Sequence, residues 1–231
     1  MLKSLLKASV LPLLLVVLLL SFMSVEINSK REYTRNTDRL ETQMKEKDTT
    51  IDNLQKQIQD LKKQNEKLQK IAEKIAYYEG LSEKTGLSIQ SIALIHNLAK
   101  EYDPAIQLGL ISLESNFGED LTHYNTNGSI DRGLCQINDG GTAQWLWSQV
   151  FPKQEFNVDK LYDPLVSIRL SAYYLNGLFK QYDGDVNKAL THYNKGPGGL
   201  RTYIKEHGTA SSPYSKVVIS RSGDFLRRTR Q

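Results

Sequence analysis

The side chain best suited to chemistry in this sequence is Glu114, which follows the largely apolar stretch 105–113. A carboxylate at the end of a buried helix is costly unless it is paired, neutral or functional. Burial raises the pKa of a glutamic acid towards neutral pH, which is the range that a general acid needs. Arg132 or Arg169 could instead form an ion pair with Glu114, so position alone leaves a catalytic and a structural role equally open.

Few other reactive groups accompany Glu114. A single cysteine, Cys135, excludes an internal disulfide and a cysteine-based zinc site, and the four histidines are scattered. We therefore expect Cys135 to act as a small buried hydrophobe, and we expect neither a metal nor a cofactor. The net charge of +4 is too small to indicate nucleic acid as a partner.

The elements that position Glu114 are predicted to be helices. Asp103 followed by Pro104 places an N-cap acceptor before a proline at the first helical position. The helix that follows is apolar nearly all round, so it should be buried on most sides. Further helices are predicted after Ser88 and after Asp163-Pro164, and at 142–150, 185–193, 198–206 and 213–226, whereas 117–141 is predicted to be an irregular loop.

The N-terminal segment is predicted to be a membrane anchor. No charged residue occurs between Ala8 and Met23, and an apolar run of about 18 residues is the shortest that spans a bilayer. Lys3 and Lys7 precede the run, which places the N-terminus in the cytoplasm and the rest of the chain outside the cytoplasm in a single pass. A cleaved signal peptide, which would leave a secreted protein, is the alternative.

A polar segment with heptad periodicity follows the anchor. Its apolar residues indicate a parallel two-stranded coiled coil, and hence a homodimer, with a stalk about 60 Å long at ~1.5 Å per residue. The alternative is one amphipathic helix folded against the C-terminal domain. The a positions are Met44, Ile51, Ile58, Asn65 and Ala72, and the d positions are Leu40, Lys47, Leu54, Leu61, Leu68 and Ile75.

The glycine-containing segment 80–86 ends this periodicity and is the predicted domain boundary. The expected organisation is an anchor at 1–28, a stalk at 29–79 and an all-α domain at 80–231.

Three short motifs occur in order on this helical background: ESNF at 114–117, GLCQIN at 133–138 and HYNKGPG at 192–198. Together they resemble the SLT-type lytic transglycosylases, which degrade peptidoglycan. The resemblance extends over about 89–220 and includes the segment AYYL at 172–175. It implies a lysozyme-like all-α fold with a cleft for a glycan strand.

The resemblance also implies roles for individual residues. Glu114 corresponds to the catalytic acid, and Ser115 to a hydroxyl that contacts the sugar near the reacting centre. Further substrate contacts are implied for Gly133 and Gln136 in the second motif, for Tyr193, Asn194 and Gly196 in the third, and for Tyr214, whose hydroxyl would touch the catalytic carboxyl.

The implied reaction is cleavage of the MurNAc-β-1,4-GlcNAc bond by one glutamate that acts as acid and then as base. Since the C6 hydroxyl of the same sugar attacks, 1,6-anhydro-MurNAc ends form without a second carboxylate. One alternative is a hydrolytic muramidase that pairs Glu114 with Asp131, although the favoured role for Asp131 is to accept a turn hydrogen bond or to pair with Arg132. Another is a non-catalytic, membrane-anchored tether that binds glycan.

Overall fold

The computed structural model describes the backbone of residues 2–226 and the side chains of residues 12–226. Lys3 and Lys7, which orient the predicted anchor, therefore lie outside the described side chains, as do the arginines after Leu226. The chain divides into two units, Met1–Lys70 and Ile71–Gln231.

Unit 1 consists of a single helix. Helix α1 spans Leu2–Thr85, and its first part, up to Lys70, makes up the unit. Near the N-terminus an 18-residue window has a mean hydropathy of 1.9, so this helix is long and apolar enough to cross a membrane. The heptad side chains further along the helix are about half exposed, including Ile58 at 52% and Leu61 at 62%.

Unit 2 begins with the last turns of α1. Tyr78 and Leu81 are buried there, and α1 ends at Thr85, inside the segment expected to break the periodicity. Gly86 takes a left-handed conformation at φ +72, which a glycine adopts at little cost. The remaining helices are α2 (Ile89–Leu98), α3 (Pro104–Ser115), α4 (Thr142–Val150), α5 (Pro164–Gln181), α6 (Val186–His207) and α7 (Pro213–Leu226).

Helix α3 forms the centre of unit 2. Leu108, Leu110 and Ile111 are completely buried, and α3 packs most extensively against α7. The two backbones approach closely at Gly109, where a Cβ atom would lie 2.3 Å from Ser222 Oγ and 2.6 Å from the carbonyl oxygen of residue 218. The absence of a side chain at Gly109 is therefore what allows α3 and α7 to lie in contact.

A small antiparallel sheet lies between α3 and α4. The sequence predicted an irregular loop at 117–141, and this prediction is wrong, because β1 (Thr122–Tyr124), β2 (Ile130–Arg132) and β3 (Ile137–Asn138) pair in the order β1-β2-β3. Thr122 lies opposite Arg132, and Arg132 lies opposite Ile137. Strands of two or three residues are too short to show a periodic pattern, so nothing in the sequence distinguished them from a loop.

Helix α6 joins two segments that were predicted as separate helices. Its range, Val186–His207, holds two helical stretches that meet at a kink between the two predicted segments, because the backbone departs from helical geometry at Gly196, with φ 66 and ψ 177, just before Pro197. The predicted all-α class is confirmed, with the sheet as a minor addition.

Candidate active site

Glu114 lies in the last turn of α3. The Asp103 carboxylate caps the start of this helix by accepting from the Ala105 N–H at 2.9 Å. The helix ends after Ser115, where Asn116 turns into the left-handed region at φ 48. The capping residues therefore fix both ends of the helix, and Glu114 near its C-terminal end lines a cavity.

The carboxyl of Glu114 is held by a tyrosine from a distant part of the sequence. Tyr214, in the first turn of α7, donates its hydroxyl hydrogen to Glu114 Oε1 at 2.5 Å. The contact between α3 and α7 at Gly109 brings the two side chains together. The expected contact between Tyr214 and the carboxyl is thus present in the structure.

Burial raises the pKa of Glu114 to about 7. The hydrogen bond from Tyr214 opposes this increase because it stabilises the carboxylate, whereas the negative charge of Asp131 adds to it. A carboxyl with this pKa exchanges its proton readily near neutral pH, as a group that serves as acid and then as base must do.

The cavity in front of Glu114 has a volume of about 410 Å³. Its walls come from α3, the sheet region, α4, α5 and α6, and they are mainly polar. Besides Glu114, its lining includes four residues that the sequence motifs singled out as substrate contacts, namely Gln136 from the second motif and Tyr193, Asn194 and Gly196 from the third.

The second motif forms a tight turn under this cavity. Gly133 has φ +74, and a Cβ atom there would lie 1.9 Å from the carbonyl oxygen of Leu161, so only glycine fits. Gln136 also has a positive φ of 47, and its amide donates to the carbonyl of Gly133 at 2.9 Å. These bonds fix the Gln136 side chain at the cavity wall.

The third motif is attached to the second by a buried hydrogen bond. Tyr193 donates its hydroxyl hydrogen to the carbonyl oxygen of Cys135 at 2.9 Å. Cys135 is itself completely buried, and burial raises the pKa of its thiol to about 12. The thiol is therefore protonated and packs as a hydrophobe.

Two of the predicted substrate contacts lie behind the cavity wall. Ser115 is 1% exposed, and its hydroxyl donates to the carbonyl oxygen of Leu134 at 2.8 Å. Gly133 is buried as well. Ser115 therefore holds the second motif against α3, whereas Gly133 lies against the carbonyl of Leu161. Tyr214 contacts Glu114 from the side of α7.

Neither arginine considered as a partner for Glu114 forms an ion pair with it. Arg132 pairs with Asp139 at 3.0 Å and donates to the Tyr162 hydroxyl at 2.8 Å, while Arg169 is exposed. Within residues 12–226, the carboxyl of Glu114 therefore has a tyrosine rather than a cation as its partner. A carboxyl without a neighbouring cation keeps a raised pKa.

Asp131 lines the same cavity as Glu114. It accepts a hydrogen bond from Asn138 Nδ2 at 2.7 Å, and it lies in β2 opposite His123 of β1. The pairing of Arg132 with Asp139 leaves Asp131 free of the ion pair that was one of its suggested roles. Its negative charge is felt at Glu114.

Several lining residues were missed from the sequence. They come from the loop between β1 and β2 and from β3, α4, α5 and α6, and the glycine-, asparagine- and aspartate-rich composition of 117–141 pointed towards a polar surface in that segment. These residues are Asn125, Asn127, Ser129, Ile137, Asn138, Thr142, Leu146, Tyr174 and Lys195. Among the residues that the structure describes, no group of three or more His, Cys, Asp or Glu side chains is placed to hold a metal ion.

Comparison with known proteins identifies the fold of unit 2. A family model described as Transglycosylase SLT domain matches residues 93–215. The 70 kDa soluble lytic transglycosylase from Escherichia coli is similar in structure, with 21% sequence identity, a TM-score of 0.50 and coverage of 59% of this chain. An inactive mutant of the lytic transglycosylase Slt from Pseudomonas aeruginosa aligns over 60% of this chain, with 23% identity and a TM-score of 0.48.

These solved proteins are much longer than the region they share with this chain. The alignment covers 24% of each of them, so this chain matches about a quarter of their length. Curated protein sequences gave no significant match.

Proposed function

This chain belongs to the transglycosylase SLT-domain family, and on that premise we propose that it is a peptidoglycan lytic transglycosylase. It would cleave the MurNAc-β-1,4-GlcNAc bond as a carbon–oxygen lyase and leave 1,6-anhydro-MurNAc ends. The observation that carries the proposal is the setting of Glu114, a half-buried carboxyl at a polar cavity with a pKa of about 7 and a single tyrosine donor.

In the first step, the protonated carboxyl of Glu114 donates its proton to the glycosidic oxygen as the bond from that oxygen to C1 of the muramic sugar breaks. The N-acetyl group of that sugar stabilises the positive charge at C1. In the second step, the carboxylate of Glu114 takes the proton of the C6 hydroxyl while O6 forms a bond to C1. The reaction therefore consumes no water, and Glu114 is protonated again at its end.

The surrounding residues orient the sugar for this ring closure. Gln136, Tyr193 and Asn194 line the cavity, and the bonds that hold Gln136 and Tyr193 fix their polar atoms before substrate arrives. A nucleophile held within the same molecule acts at a high effective concentration, so it competes with water when the ring is correctly placed. Ser115 and Gly133 contribute by supporting the turn that carries Gln136.

A hydrolytic muramidase is the second candidate, because Asp131 shares the cavity with Glu114. In that mechanism Asp131 would activate water or form a covalent intermediate. The hydrogen bond from Asn138 would hold the carboxyl of Asp131 in place for either role.

Mass spectrometry of digested peptidoglycan separates the two candidates. We expect anhydro-muropeptides, whereas products with reducing ends alone would establish hydrolysis. Glu114→Gln should abolish cleavage by either mechanism, and Asp131→Asn should spare most of it. Glu119→Gln, which changes a nearby exposed carboxyl outside the cavity, is the matched control. Binding of glycan without any turnover by the unchanged chain would leave only the tether function.

We further propose that the apolar start of α1 anchors the enzyme in the cell membrane by a single pass, with the SLT domain on the extracytoplasmic side. The hydropathy of this helix supports the anchor, and peptidoglycan lies outside the cytoplasm. The half-exposed heptad side chains support a parallel homodimer. Membrane fractionation and protease protection test the topology, and sedimentation in detergent tests the dimer.

A further inference from the structure

A second concave surface adjoins the catalytic cavity, and its exposed apolar side chains are aromatic. It encloses about 720 Å³ and is lined mainly by residues of α4, α5 and α6, among them Trp145 and Tyr173. Trp145 is 49% exposed and Tyr173 is 43% exposed. Exposed aromatic rings gathered in a concave site mark a binding surface more often than isolated apolar residues do.

The two tryptophans of α4 differ sharply in their environment. Trp147 is 4% exposed, and its indole N–H donates to the carbonyl oxygen of Gln154 at 3.0 Å, so packing and hydrogen bonding account for it. Trp145, two residues earlier, points to the other side of the helix. Its ring contacts Tyr173 and Tyr174 edge-on, with centroid distances of 6.3 and 6.1 Å. These contacts fix the ring while about half of the side chain stays open to solvent.

The aromatic surface is continuous with the catalytic cavity. Tyr174 lines both, and its ring lies 5.4 Å from that of Tyr193, which is part of the third motif. Helix α6 also contributes to both, since Gly196 lines the catalytic cavity and Pro197 lines the aromatic surface. A linear polymer bound in front of Glu114 can therefore extend over Trp145.

The chemistry of this surface suits a pyranose ring. One face of such a sugar is formed by C–H groups that stack on an aromatic ring, while its hydroxyl and acetamido groups need polar partners at the edge. Lys180 and Gln181, both exposed, supply donors at the rim.

We propose that Trp145 and Tyr173 form a distal saccharide subsite, which binds sugar units of the same glycan strand beyond those next to the cleaved bond. This inference rests on the proposed function for the identity of the strand. It follows that the protein prefers long strands to short fragments, and that the preference resides in α4 and α5 rather than in the three motifs.

The test measures binding of peptide-free glycan strands and of a tetrasaccharide to the full chain in detergent, on a Glu114→Gln background so that no substrate is consumed. Trp145→Ala should reduce the ratio of long-strand to tetrasaccharide affinity about tenfold, and Tyr173→Ala should reduce it by a smaller factor. Trp145→Phe should recover most of the loss, because a ring remains. Gln144→Ala, an exposed change on α4 that lines neither surface, should leave both affinities unchanged.

The outcomes separate this inference from the proposed function. If the unchanged chain releases anhydro-products but Trp145→Ala and Tyr173→Ala, both folded by circular dichroism, keep the wild-type affinity ratio, the distal subsite is refuted and the enzyme assignment stands. If no cleavage occurs but the ratio falls as expected, the saccharide subsite stands and the chain is a glycan-binding protein. An equal loss of affinity for both ligands would also refute the subsite, since it would show general damage to the cleft.

Discussion

Helix α3 and the heptad part of α1 are both rich in leucine and isoleucine, but their side chains are exposed to very different degrees. Leu108, Leu110 and Ile111 of α3 are completely buried, whereas Leu54 and Leu61 of α1 are 51% and 62% exposed. Burial of apolar surface is the main favourable contribution to folding. The apolar residues of α3 therefore stabilise the SLT domain, and those of α1 are available for binding.

Each of these two helices carries polar residues within its apolar pattern. One of those in α3 is Glu114, whose burial raises its pKa to about 7. One of those in α1 is Asn65, an exposed residue at a predicted a position. A buried ionisable group changes reactivity, while a polar group at a coiled-coil interface selects the register and the number of strands. We therefore expect the polar residue in α3 to serve a chemical step and the polar residue in α1 to serve self-association.

The largest contrast is expected from matched leucine substitutions. Leu110→Ala should lower the free energy of unfolding of the SLT domain by about 2–5 kcal/mol, because it leaves a cavity among fully buried neighbours. Leu61→Ala should leave that unfolding transition unchanged and weaken self-association instead. Urea denaturation followed by tryptophan fluorescence measures the first effect, and sedimentation measures the second. Equal destabilisation by both changes would show that the α1 stripe belongs to the folded domain.

Glu114→Gln should show how much the partly buried carboxyl lowers the free energy of unfolding. Since the pKa of Glu114 in the folded domain lies above its ordinary value of 4.5, ionisation opposes folding. Below pH 4.5 the acid and the amide should be similarly stable. The advantage of the amide should grow between pH 4.5 and 7 and then stay constant, at about 1–3 kcal/mol.

Thermal unfolding of the two proteins between pH 4 and 8 measures this difference. Glu119→Gln is the control, because Glu119 is exposed. A constant difference across the whole pH range would contradict the assignment of a raised pKa to Glu114.

Tyr214→Phe should both slow cleavage and shift its pH dependence. The hydroxyl of Tyr214 stabilises the Glu114 carboxylate, so its removal should raise the pKa of Glu114 further. The decline in kcat at high pH, where the acid loses its proton, should therefore move upward, while kcat at the optimum falls about tenfold. Tyr203→Phe, on a tyrosine that lines neither cavity, is the comparison. A loss of rate without a shift of the pH profile would indicate a structural role alone.

The smallest effect is expected at Asn65. Asn65→Ile should strengthen self-association by about 1 kcal/mol and broaden the range of oligomers, because it removes the polar group that limits the register. Lys63→Ala, at a predicted outward position two residues earlier, should change neither. Sedimentation equilibrium measures both variants. A chain that stays monomeric in all forms would rule out the coiled coil and leave the exposed stripe to another partner.

The sequence predicted the helices of the SLT domain well where capping residues mark them. Asp103-Pro104 and Asp163-Pro164 lie at the starts of α3 and α5, and α4 and α7 have the predicted bounds. The sheet was missed, since strands of two or three residues carry no periodicity. Local signals therefore suffice for helices and fail for pairings that depend on distant partners.

The same distinction holds for the site. The motifs led to Glu114, Gln136, Tyr193 and Asn194, all of which line one cavity. They gave no indication that the Ser115 hydroxyl faces inward, because the direction of a side chain at a helix end depends on the packing of the next turn. The aromatic surface around Trp145 was equally hidden: two tryptophans at i and i+2 suggest that one is buried, but only packing decides which.

Gly109 does not line the cavity, but a substitution there is expected to disturb the hydrogen bond between Tyr214 and Glu114. Its missing side chain lets α7 lie against α3, and that contact brings Tyr214 to Glu114 from a hundred positions further along the chain. Any side chain at this position would clash with α7 and push the two helices apart. The carboxyl of Glu114 would then lose the hydrogen bond that Tyr214 donates to it. The absence of a side chain at Gly109 therefore determines where Tyr214 lies relative to Glu114.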